Sequence, residues 1–302
     1  MLLYNYNTKT IFHDEFDNNL KDYTFEYSDC FCGEKNYNIV SLKTRVEQNF
    51  TTVSCKKCGT LRINPYLTES SIEKYYKNLY GKVKRNNITP ENLHKKQKQS
   101  ASRIFDFLEK YLNKNIKILD FGGGAGGKSY KFIENNYNTF ITDSDKNYMN
   151  YALSLGYKEF DQNLKYDLVL IIHVIEHISN LDSFLAFIRN TISDNGFLYI
   201  EIPYLGGKEY NCSIIDEIHI AHKWYFTKYS LIALLQKNGF KVIENNDEFG
   251  GIIFAPESLD NHDIAKLNNY YKLSRENSKK AIKKAFLVKI KTKIMNLFKS
   301  KK

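Results

Sequence analysis

The segment that most constrains the fold of this chain runs from Lys117 to Ser129 and reads Lys-Ile-Leu-Asp-Phe-Gly-Gly-Gly-Ala-Gly-Gly-Lys-Ser. An apolar run ends at Asp120, and five glycines follow within six residues. Glycine permits tight turns and lets a ligand approach the backbone closely. A strand that leads through such a loop into a helix directs N–H groups and the helix dipole toward one point. The segment therefore predicts a site for a nucleotide-type ligand.

Two known patterns fit this glycine-rich segment. The first is the phosphate-binding loop G-x4-G-K-S/T of NTPases, matched by residues 122–129. The second is the acid-plus-glycine loop of class I S-adenosylmethionine (SAM) methyltransferases, matched by Asp120, Gly122, Gly124 and Gly126. An NTPase also needs a carboxylate for Mg²⁺ at the end of another buried strand. The best candidate strand, 168–172, is followed by His173 instead.

The position of Asp143 favours the methyltransferase pattern. This residue follows the predicted strand 139–142 and lies 21 residues after Gly122. An acid at the end of the second strand can accept hydrogen bonds from both ribose hydroxyls of a bound nucleoside. Lys128 and Ser129 are then interpreted as ordinary residues of the following helix.

Strand and helix patterns alternate from residue 116 onward, which predicts a doubly wound α/β sheet. The run 166–172 is almost wholly apolar, as expected of a strand buried on both faces. The other predicted strands are 116–121, 139–142, 158–160, 197–202, 240–243 and 251–254. The predicted helices of this part are 128–135, 147–155, 181–191 and 230–237.

Further helices are predicted on either side of the α/β part. Residues 69–80 and 91–112 have helical spacing, and the polar, basic segment 81–90 between them is interpreted as a linker or lid. Residues 262–302 are predicted to be helical. The chain is therefore divided into a module of residues 1–65, a helical connector 66–115, a SAM-binding domain 116–258 and a basic tail 259–302.

Four of the five cysteines form two close pairs, each followed by glycine: Cys30 with Cys32, and Cys55 with Cys58. In a reducing compartment such pairs indicate a metal site rather than disulfides. Four thiolates suit tetrahedral Zn²⁺, so a structural zinc-ribbon-like module is predicted. The alternative is a set of four reduced thiols without a metal. Cys212 is expected to be a buried structural thiol.

The charge is concentrated in the tail. Of the net +10, residues 261–302 contribute 13 basic against two acidic residues, or +11, which leaves −1 for the rest. The tail is interpreted as a solvated or intersubunit helix, as a contact to an anionic membrane surface, or as a nucleic-acid contact. No apolar run of 18 residues occurs and the N-terminus lacks a signal-like core, so we expect a cytoplasmic protein.

Residues 117–254 resemble the class I SAM-dependent methyltransferases found beside bacterial sugar and polysaccharide genes. Besides the glycine loop and Asp143, the similar parts are His-Val-Ile-Glu-His-Ile at 173–178, the strand that ends at Pro203, and Ile-His-Ile-Ala-His-Lys-Trp-Tyr-Phe-Thr at 218–227. The cysteine pairs are similar to a zinc module that precedes some members. The resemblance implies a Rossmann-like, seven-stranded sheet and SAM-dependent O- or C-methylation of a sugar, nucleotide sugar or surface glycan.

The resemblance also implies residue roles. The SAM loop is formed by Asp120, Gly122, Gly124 and Gly126. Asp143 binds the ribose diol, Ser144 lies next to the adenine, and His173 lies beneath the sulfonium.

The acceptor must lose a proton during methyl transfer, and histidine is the first candidate for a base near neutral pH. We rank His222 first, then His219 and His177, with Glu217 as a possible assistant. The alternatives are an RNA methyltransferase, which the near-neutral domain disfavours, and a SAM-binding protein without turnover.

Overall fold

The computed structural model of the chain describes residues 3–5, 21–44, 49–75, 88–207, 218–258 and 263–299. Its strands, in chain order, are β1 Leu3–Asn5, β2 Thr24–Glu26, β3 Tyr37–Ser41, β4 Thr52–Cys55, β5 Leu61–Ile63, β6 Tyr66–Leu67, β7 Lys117–Phe121, β8 Asn138–Thr142, β9 Lys158–Glu159, β10 Tyr166–Ile172, β11 Ile192–Glu201, β12 Trp224–Tyr225, β13 Phe240–Asn245 and β14 Gly251–Pro256. The α-helices are α1 Glu69–Tyr75, α2 Pro90–Lys98, α3 Ala101–Leu108, α4 Tyr130–Glu134, α5 Lys146–Ser154, α6 Leu181–Thr191, α7 Lys228–Lys237 and α8 Ile264–Lys299.

The central sheet has seven strands in the order β13-β14-β11-β10-β7-β8-β9. The strands β11, β10, β7, β8 and β9 pair in parallel, and β14 pairs antiparallel with both β11 and β13. The order reverses at β7, so the crevice at the carboxyl ends of β7 and β10 is where a doubly wound sheet binds ligands. This architecture confirms the predicted seven-stranded, doubly wound fold.

Strand β10 illustrates why the sheet is stable. Leu168, Leu170 and Ile172 pack into one apolar cluster, and Val169 and Ile171 pack into another on the opposite face. Each fully buried side chain of this size contributes about 1.5–3 kcal/mol relative to an exposed one. A continuous apolar run is therefore what a strand covered by helices on both faces requires.

Strand β4, which ends at Cys55, belongs to a second sheet ordered β12-β5-β4-β3. Its outer strand β12 comes from residues 224–225, and Trp224 pairs with Arg62 in antiparallel register. The N-terminal strands and the loop before α7 therefore share one sheet. A third, small sheet pairs β1, β2 and β6.

Several predicted boundaries differ from the structure. The helix predicted at 91–112 is split into α2, α3 and a 3-10 turn at Glu109–Tyr111. The break follows Gln97, whose carbonyl accepts hydrogen bonds from the N–H and hydroxyl of Ser100. The Asn195-Gly196 turn lies inside β11, where the register with β10 shifts between Ile192 and Phe197. Of the helix predicted at 69–80, the described part is α1.

The predicted C-terminal helix is confirmed as α8, which is 36 residues long. Its first half packs on α7 and on the cysteine module: the Thr227 hydroxyl donates to Ser274 Oγ at 2.8 Å, and the Tyr271 ring lies 6.4 Å from that of Phe31. Ala285 is buried, whereas Phe286 is exposed. No helix in the described part of the chain is long and apolar enough to cross a membrane.

Candidate active site

The glycine loop follows β7 at the carboxyl edge of the sheet. The N–H groups of Gly122 and Gly123 donate to the Thr142 carbonyl at 2.8 and 3.2 Å, which ties the loop to the end of β8. Gly122 has a left-handed φ of 72°, and a Cβ there would lie 2.6 Å from Val174 Cγ2. Such a position is strained for any other residue. The loop therefore requires glycine for its own geometry and for its contact with the segment after β10.

Asp120 is fully buried at the base of this loop. Its Oδ2 accepts a short hydrogen bond from the Ser129 hydroxyl, which also lies 3.0 Å from the Tyr157 hydroxyl. Burial raises the pKa of Asp120 from 3.8 to about 6, despite this bond and the nearby Lys128 charge. A buried carboxylate with so little compensation is costly to the fold and points to a function.

Lys128 and Ser129 are not ordinary helix residues, because α4 begins only at Tyr130. Ser129 is the residue before the helix, and its hydroxyl contacts Asp120 rather than capping α4. Burial lowers the pKa of Lys128, while the charges of Glu201, Glu176 and Asp120 oppose that shift. Lys128 is thus close enough to these three acids for their charges to act on it.

Asp143 lies where the sequence predicts it, immediately after β8. Its Oδ2 accepts the Gly124 N–H at 2.8 Å, and its Oδ1 accepts the Asp145 N–H at 2.9 Å. Each carboxylate oxygen has a second lone pair, so both can still accept a ribose hydroxyl. Ser144 is exposed beside it. Asp143 and the glycine loop therefore form one preorganised unit.

His173 follows β10 in a left-handed conformation, with φ of 59°. Its ring lies between two buried acids, with Nδ1 3.6 Å from Glu176 Oε1 and Nε2 3.7 Å from Glu201 Oε1. Burial and the Lys128 charge would lower the pKa of His173, but its polar contacts with Glu176 and Glu201 outweigh them and raise it. The strained backbone therefore occurs where the ring meets both acids at the carboxyl edge of the sheet.

Glu201, at the end of β11, anchors this network. Arg103 of α3 donates to both of its oxygens at 2.8 Å, and the Tyr199 hydroxyl donates at 2.7 Å. Burial favours the protonated acid, but the polar contacts with His173 and Arg103 hold the pKa of Glu201 at about 2. The carboxylate is therefore ionised and fully compensated at neutral pH.

The three histidines proposed as bases lie together. The ring centroids of His219 and His222 are 3.9 Å apart, and those of His177 and His222 are 4.5 Å apart. The N–H of His219 donates to the Tyr225 hydroxyl at 2.9 Å, and that hydroxyl donates to the His219 carbonyl at 3.0 Å. Tyr225 therefore fixes the backbone of this loop. Glu217 and Cys212 lie outside the described residues.

Glu176 stands at the centre of this histidine cluster. It is buried, and its Oε1 lies 4.0 Å from His222 Nε2. Neither of its oxygens accepts a hydrogen bond from any described residue. Burial opposes ionisation, but the nearby His173 ring and the charge of His177 lower the pKa of Glu176. An ionised carboxylate without hydrogen bonds is an unusual feature that calls for a partner.

The four cysteines converge on one point, away from the glycine loop in sequence. The Sγ atoms of Cys30 and Cys58 are 3.5 Å apart, as are those of Cys32 and Cys55. Thiolates about 2.3 Å from a tetrahedral ion lie about 3.8 Å apart, so the side chains fit Zn²⁺ with little movement. All four are free thiols. Burial raises the pKa of Cys58 well above its usual range, so a thiolate there needs a cation.

Comparison with known proteins identifies the family. A family model described as "Methyltransferase domain" matches residues 93–245, just over half of the chain. The chain belongs to this methyltransferase family. The match includes the glycine loop, Asp143 and the helices α3 to α7. The expectation of a SAM-dependent methyltransferase is thereby confirmed at the level of family and fold.

Several solved structures are similar in fold to this methyltransferase. The 1,6-didemethyltoxoflavin-N1-methyltransferase of Burkholderia thailandensis is 13% identical over 69% of this chain and 96% of that one, with a TM-score of 0.47. Magnesium protoporphyrin IX methyltransferase of Synechocystis is 15% identical over 63% and 100%, with a TM-score of 0.44. The pyocyanin biosynthetic protein PhzM is 16% identical, with a TM-score of 0.44, and the match covers 61% of each chain. No curated protein matches the sequence.

The methyltransferase site contains residues that sequence reasoning missed. Arg103 and Glu201 form a bidentate ion pair, and the charge of Lys128 lies nearby. Glu176 lies at the centre of the histidine cluster. Glu201 had a signal in the sequence, since it is an acid inside the apolar run Leu198 to Ile202. Glu176 lies within the segment 173–178, between the two histidines for which the sequence predicts roles.

Proposed function

We propose that this methyltransferase transfers the methyl group of SAM to a sugar, free, nucleotide-linked or within a glycan. The assignment of SAM as the methyl donor is supported by the hydrogen bond that joins Asp143 to the glycine loop, in which the Asp143 carboxylate accepts the Gly124 N–H at 2.8 Å. The positive-φ glycines hold the loop in this conformation, and the side chains of Val174, Gln97 and Tyr157 pack where Cβ atoms on Gly122, Gly124 and Gly126 would lie. The sugar acceptor follows from the resemblance of residues 173–178 and 218–227 to sugar methyltransferases.

The donor-side residues have separate roles in this proposal. Asp143 accepts hydrogen bonds from the ribose hydroxyls, Ser144 borders the adenine, and Asp120 with the loop of Gly122, Gly124 and Gly126 holds the ribose and methionine part. When bound, SAM supplies a methyl group on a sulfonium sulfur that leaves with the C–S electron pair. His173, beside Glu176 and Glu201, fixes the floor of the crevice on which the sulfonium end rests.

The histidine cluster provides the proton acceptor. An acceptor oxygen or carbon that gains the methyl group must lose its proton as the bond forms. His222 and His219 lie side by side in the loop that leads into β12, and His177 reaches the same cluster from the turn after β10. The ionised Glu176 beside His222 stabilises positive charge on the cluster.

A methyl-transfer assay with radiolabelled SAM tests this function. Acceptor pools of nucleotide sugars and of surface glycan are compared with bulk RNA. Label in the sugar pool that is lost in His222→Ala, His219→Ala and Asp143→Ala supports the proposal. Label in RNA that is lost on removing residues 286–302 would instead identify an RNA methyltransferase. S-adenosylhomocysteine binding without label in any pool would indicate a non-catalytic SAM-binding protein.

We also propose that the cysteine cluster holds a structural zinc ion.

We propose in addition that the basic tail contacts an anionic membrane surface from the cytoplasm. Residues 279–302 contain ten lysines and no acid. Phe286, Leu287 and Ile290 expose between 45% and 53% of their surface within this basic stretch. Such a helix can bury its apolar side chains at a lipid surface while its lysines attract the headgroups. Co-sedimentation with vesicles that contain phosphatidylglycerol, lost on deletion of residues 286–302, tests the contact.

A further inference from the structure

Three side chains of the histidine cluster have the chemistry and the arrangement of a metal-binding set. Glu176 and His177 come from the 3-10 turn after β10, and His222 comes from the loop before β12. One potential ligand atom from each residue lies within 4.8 Å of the other two. His222 Nε2 lies 4.0 Å from Glu176 Oε1. Ligand atoms about 2.1 Å from one ion lie about 3–3.5 Å apart, so a contraction of about 1 Å forms the site.

The hydrogen bond of His177 fixes which of its nitrogens can bind an ion. Its Nδ1 lies 2.7 Å from the Ala221 carbonyl oxygen. A carbonyl oxygen can only accept, so Nδ1 carries the proton and the neutral ring keeps the lone pair of Nε2. Metal-bound histidines are commonly oriented in this way, with the other ring N–H donated to a carbonyl or carboxylate.

Glu176 supplies an independent observation. It is 2% exposed, and both of its oxygens lack a hydrogen bond from any described residue. Buried carboxylates are expensive unless they are paired or coordinate a cation. The histidines around it are held at 3.6–4.0 Å, beyond hydrogen-bond length. An ion between the carboxylate and the two imidazoles would give both carboxylate oxygens the direct partner that the described residues do not supply.

We propose that Glu176, His177 and His222 bind a divalent transition-metal ion, of the class of Mn²⁺, Fe²⁺ or Zn²⁺, in the acceptor half of the site. Two imidazoles and one carboxylate suit these ions better than Mg²⁺ or Ca²⁺, which prefer oxygen ligands throughout. Three protein ligands leave coordination positions open to an acceptor hydroxyl. This inference rests on the proposed methyl transfer and extends it.

A bound ion would change the roles of His222 and His219 in the reaction. His222 becomes a ligand, and His219, whose ring centroid is 3.9 Å from that of His222, becomes the residue that takes the acceptor proton. For a hydroxyl acceptor, the oxygen forms its new bond to the methyl carbon, the C–S pair stays on sulfur, and the hydroxyl proton goes to His219. A bound ion lowers the pKa of such a hydroxyl, as it does for bound water.

The test measures metal content in the full-length protein. Wild type, Glu176→Gln and Glu244→Gln are dialysed against Mn²⁺, and bound Mn, Fe, Co, Ni, Cu and Zn are summed per chain by mass spectrometry. Glu244 is a matched control, because it is a carboxylate on the edge strand β13, paired with Lys110. We expect wild type and Glu244→Gln to carry about one ion per chain more than Glu176→Gln. Equal totals in wild type and Glu176→Gln would overturn the inference.

Two further measurements separate this inference from misfolding and from the proposed function. Electron paramagnetic resonance of Mn²⁺ added to wild type needs no variant. The site is refuted if wild type binds no Mn²⁺ and also holds no other ion outside the cysteine cluster. S-adenosylhomocysteine binding reports on the donor half. If wild type binds S-adenosylhomocysteine and transfers methyl groups without an extra ion, only the proposed metal site is refuted. If wild type holds an extra ion but does not bind S-adenosylhomocysteine, the metal site is supported and the proposed methyl transfer is refuted.

Discussion

Replacing Asp120 with Asn should stabilise the ligand-free protein while weakening its binding of SAM. Burial raises the pKa of Asp120 from 3.8 to about 6. At neutral pH the carboxylate is ionised in both the folded and the unfolded state, and the shift of about two units corresponds to a cost of about 3 kcal/mol to the fold. Asparagine keeps an oxygen that can accept the Ser129 hydroxyl and carries no charge to desolvate. The variant should therefore gain stability and lose function.

The pH dependence makes this prediction specific. Because the folded pKa lies above the unfolded one, Asp120 is protonated in both states below pH of about 3.8 and costs nothing. The cost grows as pH rises and is complete above the folded pKa of about 6. The asparagine side chain of the variant does not titrate, so the stability of Asp120→Asn relative to wild type should increase by about 2 kcal/mol between pH of about 4.5 and about 7.5.

Urea unfolding at the two pH values measures this difference, without ligand. Asp194→Asn removes an exposed carboxylate from the bulge of β11 and controls for the loss of one charge. Calorimetry with S-adenosylhomocysteine reports the functional half. A stability difference between Asp120→Asn and wild type that does not change with pH would refute the claim that Asp120 is held ionised at a cost.

Two further predictions concern the ionic network and the cysteine module. Arg103→Met should lower the free energy of unfolding by about 3–5 kcal/mol, because it leaves the buried Glu201 carboxylate without its bidentate partner. Arg103→Lys should recover only part of this loss, since lysine cannot form both bonds. A loss below about 1 kcal/mol for Arg103→Met in urea unfolding would argue against the ion pair. Cys58→Ser should lower the content of the zinc ion proposed for the cysteine cluster and lower Tm, because Cys58 Sγ lies 3.5 Å from Cys30 Sγ. Equal zinc content in wild type and Cys58→Ser by mass spectrometry would contradict the site.

The sequence was most informative where local pattern and global fold agree. The run 166–172 is apolar almost throughout, and this alone locates the central strand β10 to the residue. Asp143 was predictable for a similar reason: an acid that directly follows a short strand is brought to the carboxyl edge of any doubly wound sheet. Periodicity and strand-end position are local properties, so they can be read without knowing which elements meet.

Features that depend on contacts between distant segments were not predictable. Trp224 pairs with Arg62 across more than half of the chain, and two strands of two or three residues carry no pattern that encodes this register. The start of α4 was misplaced because Ser129 bonds to Asp120, a contact that propensity does not report. The sequence assigns no role to Glu176, and only the packing of His173 and His222 around it shows that it is buried.

Calorimetric titration of wild type and Asp143→Ala with S-adenosylhomocysteine tests whether the glycine loop and Asp143 form the methyl-donor site. We expect wild type to bind about one ligand per chain, and Asp143→Ala to bind with an affinity about 10- to 100-fold lower, because a pair of charge-assisted hydrogen bonds is removed. Asp194→Asn should bind like wild type. Absence of binding to wild type, or equal affinity of Asp143→Ala, would contradict the assignment of the glycine loop and Asp143 as the methyl-donor site.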